Sequence, residues 1–413
     1  MHIDFTTHTL SNGLRILVHE DPTVAKVAVD IMYRVGARDE QTNRTGMAHL
    51  FEHLMFGGSK NIPNYDEHVQ RIGGENNAFT SNDLTNYYIT CPAAQLETVF
   101  WLESDRMLEL DFSQKSLDVQ ISVVCEEFKQ RYLNQPYGDA WLHLRPLHYK
   151  VHPYRWMTIG QTLEQIEAVT LEVVREFFFS FYAPNNATLV VAGGIQTDEV
   201  LRLAEKWFGP IARRLTLRPD RPAEPRQTEA RSLTVEGNVP HTAIYKAYHI
   251  PARGDDEYYS ADLITDLLAN GKASRLYKQM VQNTNVATRV AAYSWGLYDP
   301  GIITIEGRLT PGRSIDEFEK ELAAELERFR MECSNDELSR VKTKAEATEA
   351  FEKTTVSNRA MMLATYDYLG DPNLINTNID NYLKQTITDI QLSFDRYVQA
   401  SNCSTLYYIP ETI

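Results

Sequence analysis

The segment His49-Leu50-Phe51-Glu52-His53 constrains the possible fold of this chain more than any other segment. On an α-helix of about 3.6 residues per turn, His49 and His53 project from the same face and Glu52 lies beside them. Two imidazoles at this spacing can bind one zinc ion, and the carboxylate next to them can act as a base. The segment therefore predicts a metal-binding helix that another part of the chain must complete. The alternative is a partly buried helix with two solvated or hydrogen-bonded histidines.

A third metal ligand is expected from the helix predicted at residues 116–128. Its apolar residues recur at helical spacing and define a core-facing stripe: Leu117, Ile121, Val124 and Phe128. At about 100° per residue, Glu126 points nearly opposite this stripe, whereas Glu127 lies on its flank, where a helix can meet a neighbour. We therefore expect Glu127 to join the two histidines. Taken alone, the pair of carboxylates is more typical of a solvated acidic helix face.

The chain divides into two halves at a segment rich in proline. Around residues 218–227 the apolar periodicity ends and prolines cluster, which is typical of an exposed linker. We predict a first half over residues 1–212, a linker over 213–230 and a second half over 231–413. Both halves carry a similar order of strands, a hairpin and two long helices. The predicted fold class is α+β, in which each repeated half is a mainly antiparallel sheet covered by helices on one side.

A candidate for substrate contact is the stretch Asn77-Ala78-Phe79-Thr80-Ser81, which alternates like an edge strand and leads across a turn into a second strand. A peptide can add to such an edge through backbone hydrogen bonds. We predict Ala78 and Phe79 as the positions of strand pairing and Asn77 as a side-chain contact. The alternative is an ordinary hairpin with Phe79 in the core.

Composition excludes some classes of function. The formal net charge of −15 argues against nucleic acid as a partner, and it indicates an acidic solvated surface more than a preference for basic peptides. The four cysteines form no C-x-x-C pair, which is typical of free thiols in a reducing compartment. The chain shows no basic region followed by an apolar run near residue 1, and no stretch of 18 apolar residues. We therefore expect a cytoplasmic protein without a membrane partner.

Several stretches resemble the pitrilysin-type inverted zinc metallopeptidases, in the branch of short subunits that includes the β subunit of the mitochondrial processing peptidase. The matching stretches are Leu10–Arg15, Val35–Glu40, Gly46–His53, Gly73–Thr80, Val123–Glu127 and Tyr182–Leu189. The resemblance is dense over residues 8–210 and weaker but continuous beyond. It implies that His49, His53 and Glu127 bind zinc and that Glu52 is the general base. It also implies that the halves pair into a clam-like chamber together with a second subunit.

Two departures from the family pattern concern activity. Gln120 stands seven residues before Glu127, where active members often carry a further carboxylate, and an amide adds no charge there. Val281 and Thr288 stand where self-sufficient relatives carry an Arg and a Tyr that grip the substrate carbonyl. The second departure resembles the zinc-carrying subunit of a two-component peptidase. We therefore expect a homologous partner subunit that supplies the Arg/Tyr pair, or a homodimer.

The predicted function is that of a zinc-dependent endopeptidase subunit acting on peptides or small unfolded polypeptides. One alternative is a non-catalytic structural subunit of the same fold, which the missing Arg/Tyr pair permits. Another is a peptide-binding module with a structural zinc ion, for which a fourth protein ligand on the metal is expected. The sequence leaves open the natural substrate, the identity of the partner and the physiological metal.

Overall fold

The computed structural model describes residues 1–216, 218–219 and 221–411. Leu217 and Asp220 of the predicted linker, and the last two residues of the predicted second half, lie outside the described residues. The strands are β1 (Thr6–Thr9), β2 (Arg15–Glu20), β3 (Lys26–Tyr33), β4 (Glu75–Thr80), β5 (Thr85–Pro92), β6 (Ala187–Gly193), β7 (Arg231–Gly237), β8 (Ala243–Ile250), β9 (Ala287–Trp295), β10 (Gly301–Leu309) and β11 (Cys403–Pro410).

The α-helices are α1 (Met47–Leu54), α2 (Tyr65–Arg71), α3 (Leu96–Leu108), α4 (Gln114–Phe128), α5 (Ala140–His148), α6 (Leu163–Glu167), α7 (Leu171–Phe181), α8 (Thr197–Trp207), α9 (Tyr258–Ala269), α10 (Ile315–Glu332), α11 (Asn335–Glu352), α12 (Val356–Tyr368), α13 (Leu374–Leu383) and α14 (Ile387–Tyr397). Within the described part of the chain, we find no helix that combines the length and the apolar character needed to cross a lipid bilayer.

The two sheets have the same topology. The first has the strand order β1-β2-β6-β3-β5-β4, and the second has the order β7-β11-β8-β10-β9. Each sheet contains one parallel pair, which is β2 with β6 in the first sheet and β7 with β11 in the second. The next strand, β3 or β8, is antiparallel to that pair. Apart from the additional β1, each strand of the first sheet has a counterpart in the second. The chain is therefore an α+β protein built from two repeated halves, as the sequence predicts.

The compact units of the structure do not follow two contiguous halves of the sequence. The first unit contains Met1–Phe128, Trp156–Arg221 and Ala350–Thr377. The second contains Lys129–Arg155, Pro222–Glu349 and the described residues from Asn378 onward. Each unit thus includes a segment from the other half of the sequence. We call the helices in these two segments, α5 and α12, the exchanged helices.

The exchanged helix α12 covers one face of the first sheet. Ala360, Leu363 and Ala364 recur at helical spacing and are fully buried. They belong to one apolar cluster with residues of β2, β3 and β6, namely Leu17, Ala28, Met32, Val190 and Ala192. The first sheet therefore takes part of its core from residues that follow the predicted linker.

A buried carboxylate fixes α12 to the same sheet. Asp367, whose side chain is 2% exposed, accepts hydrogen bonds from Arg15 of β2 and from Thr188 of β6, the latter at 2.9 Å. The guanidinium of Arg34 lies 3.4 Å from the carboxylate oxygen that accepts the hydrogen bond from Thr188. Because a buried carboxylate is costly unless it is paired, these contacts specify where α12 docks.

The exchanged helix α5 has the equivalent place in the second unit. Ala140 and Leu144 are buried in a cluster with residues of β8, β10 and β11, namely Ala243, Tyr245, Ala247, Ile302 and Leu406. Neighbouring residues of β8 and β10, such as Ile244 and Ile303, point to the opposite face and pack with α9 and α10. The sequence predicts helices on one side of each sheet, and the exchanged helix adds a cover on the other.

The segment 213–230 carries neither helix nor strand in its described residues, yet it is anchored. Arg218 and Arg221 each place a guanidinium nitrogen 2.7 Å from the carboxylate of Asp39. Glu224 accepts hydrogen bonds from consecutive backbone N–H groups of the second unit. This segment is therefore held to the folded chain by ion pairs and hydrogen bonds.

Replacing Leu363 with Ala is expected to destabilise the first sheet, because it leaves a cavity between α12 and that sheet. The expected loss is about 2–4 kcal/mol in the free energy of unfolding. Chemical denaturation measures this loss, and hydrogen exchange is expected to show faster exchange in β3 and β6. Leu392, which is 64% exposed, is the matched control, and Leu392→Ala is expected to cost less than about 0.5 kcal/mol. Unchanged exchange in β3 and β6 would contradict this account of α12.

Candidate metal centre

Helix α1 buries one face and leaves the metal motif on the other. It begins after Gly46, whose φ of 90° is in the left-handed region that favours glycine. A Cβ atom at Gly46 would also meet the carbonyl oxygen of Ile159 at 2.6 Å. The buried residues of α1 are Met47, Ala48, Leu50, Phe51 and Leu54. The amphipathic pattern of this short helix therefore directs the polar residues of the motif away from the core.

The structure brings His49, His53 and Glu127 together. One ligand atom from each of them lies within 4.8 Å of those of the other two. An oxygen of Glu127 lies 3.8 Å from Nε2 of His49 and 3.4 Å from Nε2 of His53. In a tetrahedral zinc site with bonds of 2.0–2.2 Å, ligand atoms are roughly 3.4 Å apart. Two imidazole nitrogens and one carboxylate oxygen are also ligands that zinc prefers, so the residues present fit this ion.

Of the adjacent carboxylates Glu126 and Glu127 on α4, the structure brings Glu127 to the imidazoles. Helix α4 packs against α1, and it buries Leu117, Val124, Cys125 and Phe128. Glu126 is exposed, whereas the side chain of Glu127 is 18% exposed and faces α1. Gln120, two turns earlier, is half-buried. Within the described residues, this is the one cluster of three or more His, Cys, Asp or Glu ligand atoms at metal-binding distances.

Glu52 is half-buried beside this cluster, and its carboxylate is tied to strand β4. One carboxylate oxygen of Glu52 accepts a hydrogen bond of 2.6 Å from the hydroxyl of Thr80. Burial raises the pKa of Glu52, whereas the hydrogen bond from Thr80 and the nearby His53 act to lower it. A carboxyl group with a raised pKa beside a metal-binding cluster suits a general base. Sequence reasoning missed Thr80, because its role arises from a contact between separate elements.

Glu40 caps the start of α1. Its two carboxylate oxygens accept hydrogen bonds from the backbone N–H groups of Gly46, at 2.9 Å, and Ala48, at 2.8 Å. Glu40 is 4% exposed, and this burial raises its pKa, although the backbone N–H groups of Ala48 and Gly46 act to lower it. The first N–H groups of a helix have no hydrogen-bond acceptor within the helix, and a carboxylate at this position provides one. It also lies at the positive end of the helix dipole. Sequence reasoning missed this cap as well.

The residues just before Glu40 connect this cap to the exchanged helix α12. Arg38 is buried, donates a hydrogen bond of 2.6 Å to the hydroxyl of Tyr368, the last residue of α12, and pairs with Asp83 at 3.1 Å. The indole of Trp156 donates to the carbonyl of Ala37 at 2.8 Å. Residues 37–40 thus join the start of α1 to a helix that comes from the second half of the sequence.

Strand β4 forms one edge of the first sheet. Its residues alternate between exposed and half-buried, and in the described part of the chain no strand pairs with its outer edge. Phe79 is 39% exposed and so is not a core residue. The side-chain oxygen of Asn77 accepts a hydrogen bond of 2.8 Å from the backbone N–H of Ala78. Substrate contact at these three residues remains a prediction.

The positions expected to hold an Arg/Tyr pair offer neither side chain. Val281 lies in the π-helical segment Tyr277–Asn283 and packs on the core of the second unit. Thr288 lies on the edge strand β9, is exposed, and donates to the carbonyl of Arg308 at 3.3 Å. Neither side chain can supply a cation or a phenol to a reacting carbonyl.

The chain belongs to peptidase family M16, the pitrilysin-type family that its motifs resemble. Residues 15–140 match the family model described as "Insulinase (Peptidase family M16)". Residues 168–345 match the model described as "Peptidase M16 inactive domain". The cluster of His49, His53 and Glu127 lies within the first of these matches.

Known relatives agree with this assignment. A Helicobacter pylori protein named zinc protease PqqE is 27% identical over 409 residues, which cover 97% of this chain and 92% of that protein. The crystal structure of a protease from Helicobacter pylori has a TM-score of 0.93 at 27% identity and covers 99% of this chain and 100% of that one. A peptidase M16 inactive domain from Pseudomonas fluorescens has a TM-score of 0.89 at 14% identity, covers 99% of this chain and 98% of that one, and shares the fold.

Replacing Glu40 with Ala is expected to weaken zinc binding, because the N-terminus of α1 loses a buried acceptor. We expect a zinc dissociation constant roughly 10- to 100-fold higher, as for other residues that orient metal ligands. The free energy of unfolding should fall by about 1–3 kcal/mol, because buried N–H groups lose their partner. Competition with a chromophoric chelator measures the first quantity and chemical denaturation the second.

Glu176→Ala is the matched control for this experiment. The Glu176 side chain is 64% exposed, so its loss is expected to change neither quantity. If Glu40→Ala bound zinc as tightly as the unaltered protein, Glu40 would have no part in orienting α1.

Proposed function

We propose that this chain is a zinc-dependent endopeptidase subunit that hydrolyses peptides or small unfolded polypeptides. The observation that carries the proposal is the cluster of two imidazoles and one carboxylate with Glu52 beside it. Within the described residues this cluster contains three side chains that could bind a metal ion. A zinc ion there would keep a coordination position open, as catalytic zinc sites do, whereas structural sites are closed by a fourth protein ligand.

The residues of the cluster have separate tasks. When bound by His49, His53 and Glu127, zinc supplies a Lewis acid that makes water more acidic and polarises a peptide carbonyl. Glu52 accepts the proton of the attacking water and then donates it to the nitrogen of the leaving amine. Glu52 is suited to both steps by its place, because it is half-buried beside His53 and Glu127.

The edge strand β4 is the proposed place of substrate binding. A peptide in extended conformation would pair with the outer edge of β4 through its backbone. The N–H of Ala78 now donates to the side chain of Asn77, so a substrate carbonyl would replace that acceptor. The exposed ring of Phe79 offers an apolar contact beside it. Backbone pairing requires an extended chain, which favours peptides and unfolded polypeptides over folded proteins.

The missing Arg/Tyr pair supports a two-component enzyme. Donors to the developing oxyanion are each worth roughly 10²–10³ in rate, and Val281 and Thr288 provide none. A second copy of this chain would carry the same two residues. The sequence therefore favours a homologous partner subunit with an Arg and a Tyr over a homodimer.

The second candidate function is a non-catalytic structural subunit of the same fold. The match of residues 168–345 to the inactive-domain model and the absence of the Arg/Tyr pair favour it. Against it, a purely structural subunit has no physical need for three ligands at metal-binding distances with an additional carboxylate beside them. Activity measurements on the metal-loaded protein together with its partner distinguish the two candidates.

Replacing Glu52 with Gln is expected to abolish cleavage while the metal stays bound. The amide cannot accept the proton of water, so kcat should fall by about 10²–10⁴. Elemental analysis measures the zinc content, and an internally quenched fluorescent peptide measures cleavage. A Glu52→Gln variant that cleaves as fast as the unaltered protein would show that another residue is the base.

Co-purification tests the two-component proposal. We expect a second, homologous chain with the Arg/Tyr pair to accompany this one, and the mixture to cleave the peptide at least about 10²-fold faster than either chain alone. Removing the metal with a chelator should abolish this activity, and added zinc should restore it. Full activity of the zinc-loaded chain alone would contradict the need for a partner. A zinc-loaded mixture without activity would favour the structural subunit.

A further inference from the structure

Thr80 contacts the carboxylate of Glu52 from a different element of the fold. Its hydroxyl lies 2.6 Å from one oxygen of Glu52 and 3.5 Å from the carbonyl of Ala48. A hydroxyl has one proton to donate, and the shorter contact is the one of normal hydrogen-bond length. Thr80 is the last residue of β4, and α1 packs against this strand.

The backbone around Thr80 is fixed by the turn that follows it. The hydroxyl of Ser81 accepts the backbone N–H groups of Asp83 and Leu84, both at 3.1 Å. Thr80 pairs with Thr85, whose buried hydroxyl donates to the carbonyl of Val35 at 2.8 Å. The hydroxyl that reaches Glu52 is therefore presented by a rigid end of the hairpin.

Glu52 needs such a contact because its side chain is long. A glutamate side chain has many rotamers, and it loses entropy when it is held in one conformation. If one carboxylate oxygen is held by Thr80, the other remains available to receive a proton. A base in a wrong orientation is ineffective even when it is close, since misplacement by about 1 Å can cost 10²-fold in rate.

We propose that Thr80 is a positioning residue that holds one oxygen of Glu52 and so directs the other oxygen toward the reacting water. This inference rests on the proposed function, in which Glu52 is the general base. It predicts that turnover requires the hydroxyl group of Thr80 and not the branched shape of its side chain. It also places the orientation of the base under the control of the edge strand proposed to bind the substrate.

The test compares three variants of the full chain, each loaded with zinc and assayed together with the partner subunit. Thr80→Val removes the hydroxyl and keeps the branched shape, whereas Thr80→Ser keeps the hydroxyl. Thr90→Val is the matched control, because Thr90 pairs with Glu75 at the other end of the same hairpin. For each variant a crystal structure shows the orientation of Glu52, elemental analysis gives the zinc content, and an internally quenched fluorescent peptide gives kcat and KM.

In Thr80→Val we expect Glu52 to occupy other rotamers and kcat to fall about 10- to 100-fold. KM should change by less than about threefold, because the residue acts on the base and not on ground-state binding. Thr80→Ser should restore both the orientation and kcat to within about threefold, and Thr90→Val should alter neither. All variants should retain the zinc content of the unaltered protein.

The proposal is overturned if Glu52 keeps its orientation in Thr80→Val, or if Thr80→Val and Thr90→Val lose the same activity. Its failure is distinguishable from failure of the proposed function. If the unaltered, zinc-loaded protein cleaves no peptide even with its partner, the endopeptidase assignment fails. The orientation of Glu52 in the crystals then still decides whether Thr80 positions it.

Discussion

The packing of α1 against α4 is the interaction on which the candidate metal centre depends. Three donor atoms from two helices must lie at bonding distance from a single ion, and a shift of one helix by 1 Å would separate them. Both helices are in contact with each other and are anchored in the core, because Leu50 and Phe51 on α1 and Val124 and Phe128 on α4 are all buried. Because protein interiors are close-packed, a small displacement of one helix is transmitted to its neighbours. The positions of the three ligand atoms therefore depend on how the apolar core packs around both helices.

A second group of contacts fixes α1 along its own axis. Glu40 holds the first N–H groups of the helix, and the adjacent Arg38 contacts Tyr368 at the end of α12. Thr80 contacts Glu52 in the middle of the helix from the edge of the sheet. Glu40 from the loop and Thr80 from the edge strand thus contact α1 or its first N–H groups directly, and Tyr368 of the exchanged helix holds the loop beside Glu40 through Arg38. Each is buried or half-buried, so each contact has little competition from water.

Much of this could be predicted from the sequence, but only where the decisive information is local. Helical spacing places His49, Glu52 and His53 together, and the apolar stripe of α4 distinguishes the flank position of Glu127 from the exposed position of Glu126. In α12, by contrast, residues 360–364 are all apolar, so the sequence indicates neither that Ala360, Leu363 and Ala364 form the buried face nor which sheet they cover. For Glu40 and Thr80 the missing information is again a contact between distant segments. The resemblance to a known family agreed with the ligand set that helical geometry had indicated, and it supplied the proposed partner and the expected chamber, which periodicity alone could not.

The exchanged helices have a consequence for the origin of the repeat. A single ancestral half, left by itself, would expose a sheet face that only a helix from elsewhere could cover. Two identical copies could each cover the exposed sheet face of the other by exchanging that helix, as in a domain-swapped dimer. Joining the copies end to end would make the trade permanent and let their sequences diverge, so that one copy kept the metal ligands and the other lost any need for them. The present polypeptide can be understood as such a fused pair, in which neither copy is self-sufficient.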